Sequence, residues 1–303
     1  MIVQAPFYGL DKGQIDIPWV QCGCGLEANV FDNRDFDLPN GWTMFESSLS
    51  YAHSLEPSLL TVHFPTENAD FLTNPQAHDN LMRAIQLAHK YSAAGITIHA
   101  NQFVCTTEWG NFDVIDRRQR FLEYLRELDD MLHESKVWVS VENLPIIGNQ
   151  GNDFDSVFVY PSDFNEFDNF SNIYITWDLC HWAITYLTHK AFSHMFKKNE
   201  FQIDFDAYHA LSRIKHFHFG SFKQLAVPFS SAVCYEGVHP EEGDIDPNLL
   251  LSTLRYINQN LDANTGLVLE VHEQDYYHRT TTWKTLQWIQ KGVSEVVNNG
   301  VFR

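Results

Sequence analysis

Six short apolar runs in this chain each stop at a side chain that binds metal ions, and helical segments separate them. LLTVH ends at His63, GITIH at His99, VWVSVE at Glu142, NIYITWD at Asp178 and GLVLE at Glu270, while IKHFHF carries His218. Runs this short, rich in Val and Ile and apolar on both faces, read as buried parallel strands. A parallel neighbour requires a crossover, most often a helix, so the alternation predicts a parallel α/β fold. If the sheet closes into a barrel, the C-terminal ends of its strands converge on one face, where the active sites of such barrels lie. Glu, Asp and His at six separate strand ends would then share one location.

From residue 57 onward the predicted strands are 58–64, 95–100, 137–142, 173–178, 214–219 and 266–271. Helices are predicted over 75–94, 112–134, 162–169, from about His181, over 204–212, 247–260 and 280–298. The 112–134 segment places Ile115, Phe121, Leu122, Leu125, Leu128 and Leu132 near helical period, with charged residues between them. Eight strands need two more from residues 1–56. IVQAPF at 2–7 is one candidate, and either DIPWVQCG or LEANVF between 16 and 31 is the other. The 220–245 stretch lacks periodicity and reads as a functional loop. No linker or repeat interrupts the chain, so residues 1–303 are expected to form one (β/α)8 barrel domain. An open doubly wound sheet is the rival, but GCGLEA at 23–28 lacks the third glycine of a dinucleotide-binding turn.

Twenty Lys and Arg against 39 Asp and Glu give a formal charge of −19. Such a surface repels phosphate backbones and anionic membranes. Five cysteines have no zinc-ribbon spacing, and Cys22-Gly23-Cys24 is too close for a CxxC motif. No signal peptide or bilayer-length apolar run is visible, so a reduced, cytoplasmic protein is expected.

Carboxylates and imidazoles hold hard or borderline divalent ions such as Mn²⁺, Mg²⁺, Co²⁺ and Zn²⁺. Two Glu, one Asp and one His from four successive late strands could form an octahedral or square-pyramidal site with two open positions. Asn143 and Pro145 turn the chain sharply after Glu142. In WDLCH, a helix starting at Asp178 would put His181 one turn on, facing the same cleft.

The ordered pieces VENLP (141–145), WDLCHW (177–182) and HPEEGDID (239–246), with the histidines before them, resemble the xylose isomerase-like barrel superfamily over roughly residues 57–275. That group includes sugar isomerases and epimerases and the endonuclease IV nucleases. The resemblance implies that Glu142, Asp178, His218 and Glu270 bind the metal. It further implies that Glu142 and Glu270 act as acid and base on opposite faces of a substrate that passes through an enediolate. His216 faces the same way as His218 and would support the site from one layer deeper. His63, His99 and His181 would contact substrate. Trp109, Trp177 and Trp182 are candidates for apolar walls, and His272 for the pocket mouth.

The nuclease alternative needs a three-metal cluster that also uses His63, His99, His181 and His239, plus an Asp two residues before His239. Gly237 stands there instead. The 222–244 loop offers only Lys223 as a basic residue, and nucleic acid is therefore not the expected partner. The favoured reading is a metal-dependent sugar, polyol or keto-acid isomerase or epimerase with a small-molecule carbohydrate substrate, and His239 as a further metal ligand if a second ion binds. A non-catalytic metal-binding barrel is the third reading. No cluster of Lys or Arg marks a phosphate pocket; Lys215, Lys223 and Arg279 are the only basic residues near the expected site, which favours an unphosphorylated substrate. Self-association into a homo-oligomer is left open.

Overall fold

The computed structural model describes residues 1–299 apart from 103, 106–107, 109–110, 147–152, 155–156, 194–202 and 226–231. Eight parallel strands close into a barrel: β1 (Ile2–Tyr8), β2 (Gly25–Asn29), β3 (Leu60–His63), β4 (Gly95–Ile98), β5 (Trp138–Glu142), β6 (Ile173–Asp178), β7 (Ile214–Phe219) and β8 (Gly266–Leu269). Each strand pairs with the next, and β8 returns to β1 through Ile2 opposite Gly266 and Gln4 opposite Val268. The open-sheet alternative is thereby excluded. LEANVF supplies β2, whereas DIPWVQCG forms a short helix, α1 (Ile17–Gln21), because Asp16 caps it and Pro18 fits its first turn.

Helices cover the outside: α2 (Gly41–Ser54), α3 (Pro75–Lys90), α4 (Val114–Met131), α5 (Leu179–Ala191), α6 (Pro247–Asn260) and α7 (Thr280–Asn299). Pattern and caps agree at their starts. Asn74 accepts from the Gln76 amide before Pro75, and Asp246 accepts from the Asn248 amide before Pro247. Helix α4 buries Phe121, Leu122, Leu125 and Leu128 against the barrel, each burial contributing about 1.5–3 kcal/mol. Ile115, included in that apolar stripe on period alone, is 76% exposed. Helix α2 was not expected from the sequence, since its apolar residues are interleaved with Ser and Thr. The segments expected as helices at 162–169 and 204–212 are 3₁₀ turns, Pro161–Asn169 and Phe205–Ala210.

Two parts of the 220–245 region are strand, which its lack of period did not suggest. Ser221–Lys223 and Tyr235–Val238 pair as an antiparallel ribbon over the end of the barrel. Among the described residues, no helix is long and apolar enough to cross a membrane.

Candidate metal centre

Strand β5 carries Ser140 and Glu142, and β6 Thr176 and Asp178, as buried pairs two residues apart, the period of a strand. The upper member of each pair lies at the C-terminal mouth. There Glu142, Asp178, His218 and Glu270 each bring a ligand atom within 4.8 Å of the others. Glu142, Asp178 and His218 are essentially inaccessible, and the Glu270 side chain keeps 31% exposure, opening onto the cavity above.

Glu142 is the hub. Its Oε2 lies 3.2 Å from His63 Nε2, 3.1 Å from His99 Nε2 and 3.0 Å from His218 Nδ1, and its Oε1 lies 3.2 Å from His181 Nδ1. The sharp turn after it is fixed by Asn143. Its Nδ2 donates to the Asp178 carbonyl at 3.1 Å, and its Oδ1 accepts from the Asp178 amide at 2.7 Å, locking the ends of β5 and β6 together. Asp178 also caps α5 by accepting from the His181 amide at 2.6 Å. That cap starts the helix and sets His181, whose Nδ1 donates to the Asn143 carbonyl at 2.9 Å. The opposite nitrogen, Nε2, is left 3.6 Å from Glu236 Oε2.

Charges in this shell move in opposite directions. Burial alone would raise Glu142, but the imidazoles of His218 and His99, with His181 close by, hold it well below the usual range. Burial pushes Glu270 up to about 7, helped by the nearby Glu142 and Asp178 carboxylates and opposed by His218. Burial also raises Asp178. For His218 and His181 burial acts downward, yet the surrounding carboxylates raise both well above the ordinary value. His99 is lowered by its burial.

The donor set fits a metal ion. His63 Nδ1 donates to the Phe64 carbonyl at 2.9 Å, so a neutral ring turns a lone pair toward Glu142. His99 Nε2 and His218 Nδ1 are buried without a hydrogen-bond partner, although each is within about 3 Å of a carboxylate oxygen. Several ligand atoms thus converge on a shared space, and with the imidazoles deprotonated a divalent cation would satisfy their electron pairs. His63, His99 and Glu142 form a second compatible group, sharing Glu142.

The remaining expectations divide. His239 belongs to none of these groups among the described residues. Its Nδ1 accepts from the Glu241 amide at 3.2 Å and its ring packs toward Trp288, while its Nε2 is buried without a hydrogen-bond partner. Trp177 and Trp182 do not line the cavity. They are buried against each other at 5.4 Å, and Trp182 donates to the Phe205 carbonyl. Trp109 lies outside the described residues. Lys223 is paired with Asp244, and Arg279 is buried with its guanidinium on the Gln14 carbonyl, so neither reaches the cavity. His272 lies on the cavity wall. On the outer helices His78 and His189 are half-buried, and His189 bonds the Tyr160 hydroxyl at 2.8 Å.

Several side chains were missed on sequence. Above the centre a cavity of about 640 Å³ is walled by Tyr8, Phe31, Tyr235 and Tyr276, with Asp35 and Glu236 as further acids. Tyr8 stacks on Phe31 at 6.1 Å and donates to Asp35 at 2.9 Å. Two of these rings are strongly exposed, Phe31 at 57% and Tyr235 at 58%. Isolated exposed aromatics in loops were the available signal. Glu27, inside the apolar run of β2, was the other, and it is fully buried below the centre.

An eight-stranded parallel α/β barrel with a carboxylate–imidazole centre at its C-terminal mouth is the class these features define. The chain belongs to the xylose isomerase-like TIM barrel family, whose profile matches residues 45–291. No curated protein sequence matches it. Among solved structures it is similar to a Thermus thermophilus protein soaked with zinc chloride (16% identity, 97% of this chain and 99% of that one, TM-score 0.61). It is also similar to D-psicose 3-epimerase with D-tagatose from Clostridium cellulolyticum (13%, 97% and 99%, TM-score 0.59). A family 2 AP endonuclease from Brucella melitensis is a third (16%, 96% and 98%, TM-score 0.59). At these identities the likeness establishes the fold.

Proposed function

We propose that the protein is a metal-dependent epimerase or isomerase of an uncharged sugar or related polyol, with Glu142 and Glu270 exchanging the proton. The observation that carries this reading is the convergence of Glu142, Asp178, His218 and Glu270 at the floor of a cavity whose described lining contains no Lys or Arg. A phosphorylated or carboxylated substrate would meet Asp35 and Glu236 with no Lys or Arg in the described lining to pair it. Hydroxyl groups suit these acids, and the flat faces of Tyr8, Phe31, Tyr235 and Tyr276 suit the C–H faces of a sugar.

Glu142, Asp178, His218 and Glu270 would hold the ion, and when bound it would polarise a carbonyl and its neighbouring hydroxyl, acidifying the carbon between them. Glu142 would take the proton and Glu270 would return one from the other side. His181, anchored through Nδ1 and raised by its carboxylate neighbours, presents Nε2 to a substrate oxygen. The similar structures of an epimerase with D-tagatose and of a protein soaked with zinc support the choice of substrate and of metal.

The nuclease alternative is weakened at Gly237. This residue has φ +74, and a Cβ there would lie 2.7 Å from the His272 ring, so the missing carboxylate could not be accommodated without rearrangement. Proton exchange tests the proposal. Neutral ketopentoses and ketohexoses incubated with metal-loaded protein in D₂O should incorporate deuterium at carbon, read by NMR. Cleavage of an abasic-site duplex without any sugar exchange would sink it. Exchange that persists in both Glu142→Gln and Glu270→Gln would refute the assigned acid and base.

A further inference from the structure

Directly beneath the centre lies a second charged group that the proposed chemistry does not use. Glu27, on β2, is fully buried, with no Lys or Arg against it among the described residues. Its Oε2 accepts from the Thr61 hydroxyl at 2.8 Å and from His216 Nε2 at 3.0 Å. Gln4 extends the chain, donating to Thr61 Oγ1 at 2.8 Å and to the Leu26 carbonyl. The remaining oxygen, Oε1, has no hydrogen bond and faces His218 Nε2 at 3.5 Å, itself without one. Two unsatisfied buried groups therefore face each other across a gap that a shift of about 0.5 Å would close into a hydrogen bond. Gly266 makes room for this layer, since a Cβ there would lie 2.2 Å from Gln4 Oε1 and 2.4 Å from His216 Nδ1.

His218 is thus gripped at both ring nitrogens, Nδ1 toward Glu142 and Glu270 and Nε2 toward Glu27. A neutral imidazole carries one proton, and only one of its nitrogens can offer a lone pair to an ion. Resting on the proposed metal centre, we infer that Glu27 is a positioning residue: by accepting the His218 Nε2–H it fixes the tautomer whose Nδ1 lone pair points into the centre. Thr61 and His216 hold the Glu27 carboxylate in place for this, so strands β1, β2, β3 and β7 together set one ligand atom. A carboxylate behind a metal-bound imidazole also makes that imidazole a stronger donor, and loss of such a partner typically weakens metal affinity about 10–100-fold.

The test uses the full chain, stripped with chelator and titrated with Zn²⁺ against a chromophoric competitor. Glu27→Gln keeps size and shape, and should bind Zn²⁺ about 10–100-fold more weakly while the stripped variant unfolds in urea no more easily than the parent. Equal Zn²⁺ affinity in parent and variant would overturn the assignment. So would a parent binding two ions and a variant binding one, because Glu27 would then be a ligand itself, within the group it forms with His216 and His218. A second readout needs no variant. In ¹⁵N-histidine-labelled, Zn²⁺-loaded parent, the His218 ring should show its proton on Nε2, and a proton on Nδ1 would contradict the inference. A parent that binds no Zn²⁺ would instead remove the metal centre on which the inference rests.

Discussion

Two buried polar groups lie inside the same barrel two residues apart along strands β5 and β6, and they behave as opposites. In the lower one, Thr97, Ser140 and Thr176 form a closed triangle of hydroxyls with oxygen separations of 3.0, 3.3 and 2.6 Å. Each is uncharged and fully buried, and each satisfies the others. In the upper one, reached by stepping from Ser140 to Glu142 and from Thr176 to Asp178, charged groups crowd together and His99 Nε2 and His218 Nδ1 have no hydrogen bond. Burial alone therefore does not mark a functional site. A polar layer that completes its own hydrogen bonds is scaffold, and one that leaves electron pairs converging is prepared for something to enter.

Substitutions should separate the two layers, beginning with the upper one. Glu270→Gln is expected to reduce deuterium exchange about 10²–10⁴-fold, the range for losing one general acid–base group. Urea unfolding of the chelator-treated variant at pH 8 should be no easier than that of the parent. Glu270 has its folded value raised to about 7, so the folded state binds its proton more tightly than the unfolded chain. Its contribution to stability is present at low pH and lost as pH rises through about 7, and the amide removes that cost.

The lower layer should respond the other way. Thr176→Val leaves Thr97 and Ser140 each without one partner and should lower stability by about 1–3 kcal/mol in urea melts. Zn²⁺ affinity per folded molecule should stay within about threefold of the parent. A large loss of affinity would mean that the hydroxyl triangle also shapes the centre.

A smaller effect is expected from pH. Because Glu270 must lose its proton to act as a ligand, Zn²⁺ affinity should climb as pH rises toward about 7. The Glu270→Gln protein should bind more weakly and with a shallower slope, as measured by competition titration at several pH values. The smallest change belongs to His239→Ala, which should leave the metal content at one ion per chain by elemental analysis. A fall in content on that substitution would return His239 to the ligand set and reopen the three-metal reading.

The sequence was most legible where a strand's period and a helix's cap coincide in a few residues. WDLCH announced the end of β6, the start of α5 and the placing of His181 together, since Asp178 closes the strand and caps the helix. Strands β6 and β7 and helix α6 match their predicted bounds for the same local reason. Legibility failed where the cause lies elsewhere in the chain. Tyr235–Val238 is strand only because Ser221–Lys223 supplies its partner. Trp182, adjacent to His181, faces the packed outside of the barrel because helical period turns it away from the cleft. Glu27 read as an ordinary residue of an apolar run, because its partners Thr61 and His216 come from 34 and 189 residues away.

By itself, then, the sequence determined the class of fold and which candidate metal-binding side chains stand at strand ends, because alternation and strand-end position are local properties of the chain. Only the tertiary structure decided how those side chains divide. Barrel closure places Glu142 amid four imidazoles, sets Glu27 behind His218, lines the described cavity without Lys or Arg and packs His239 beside Trp288. Distances between strand ends depend on register and closure, which no short stretch of sequence encodes.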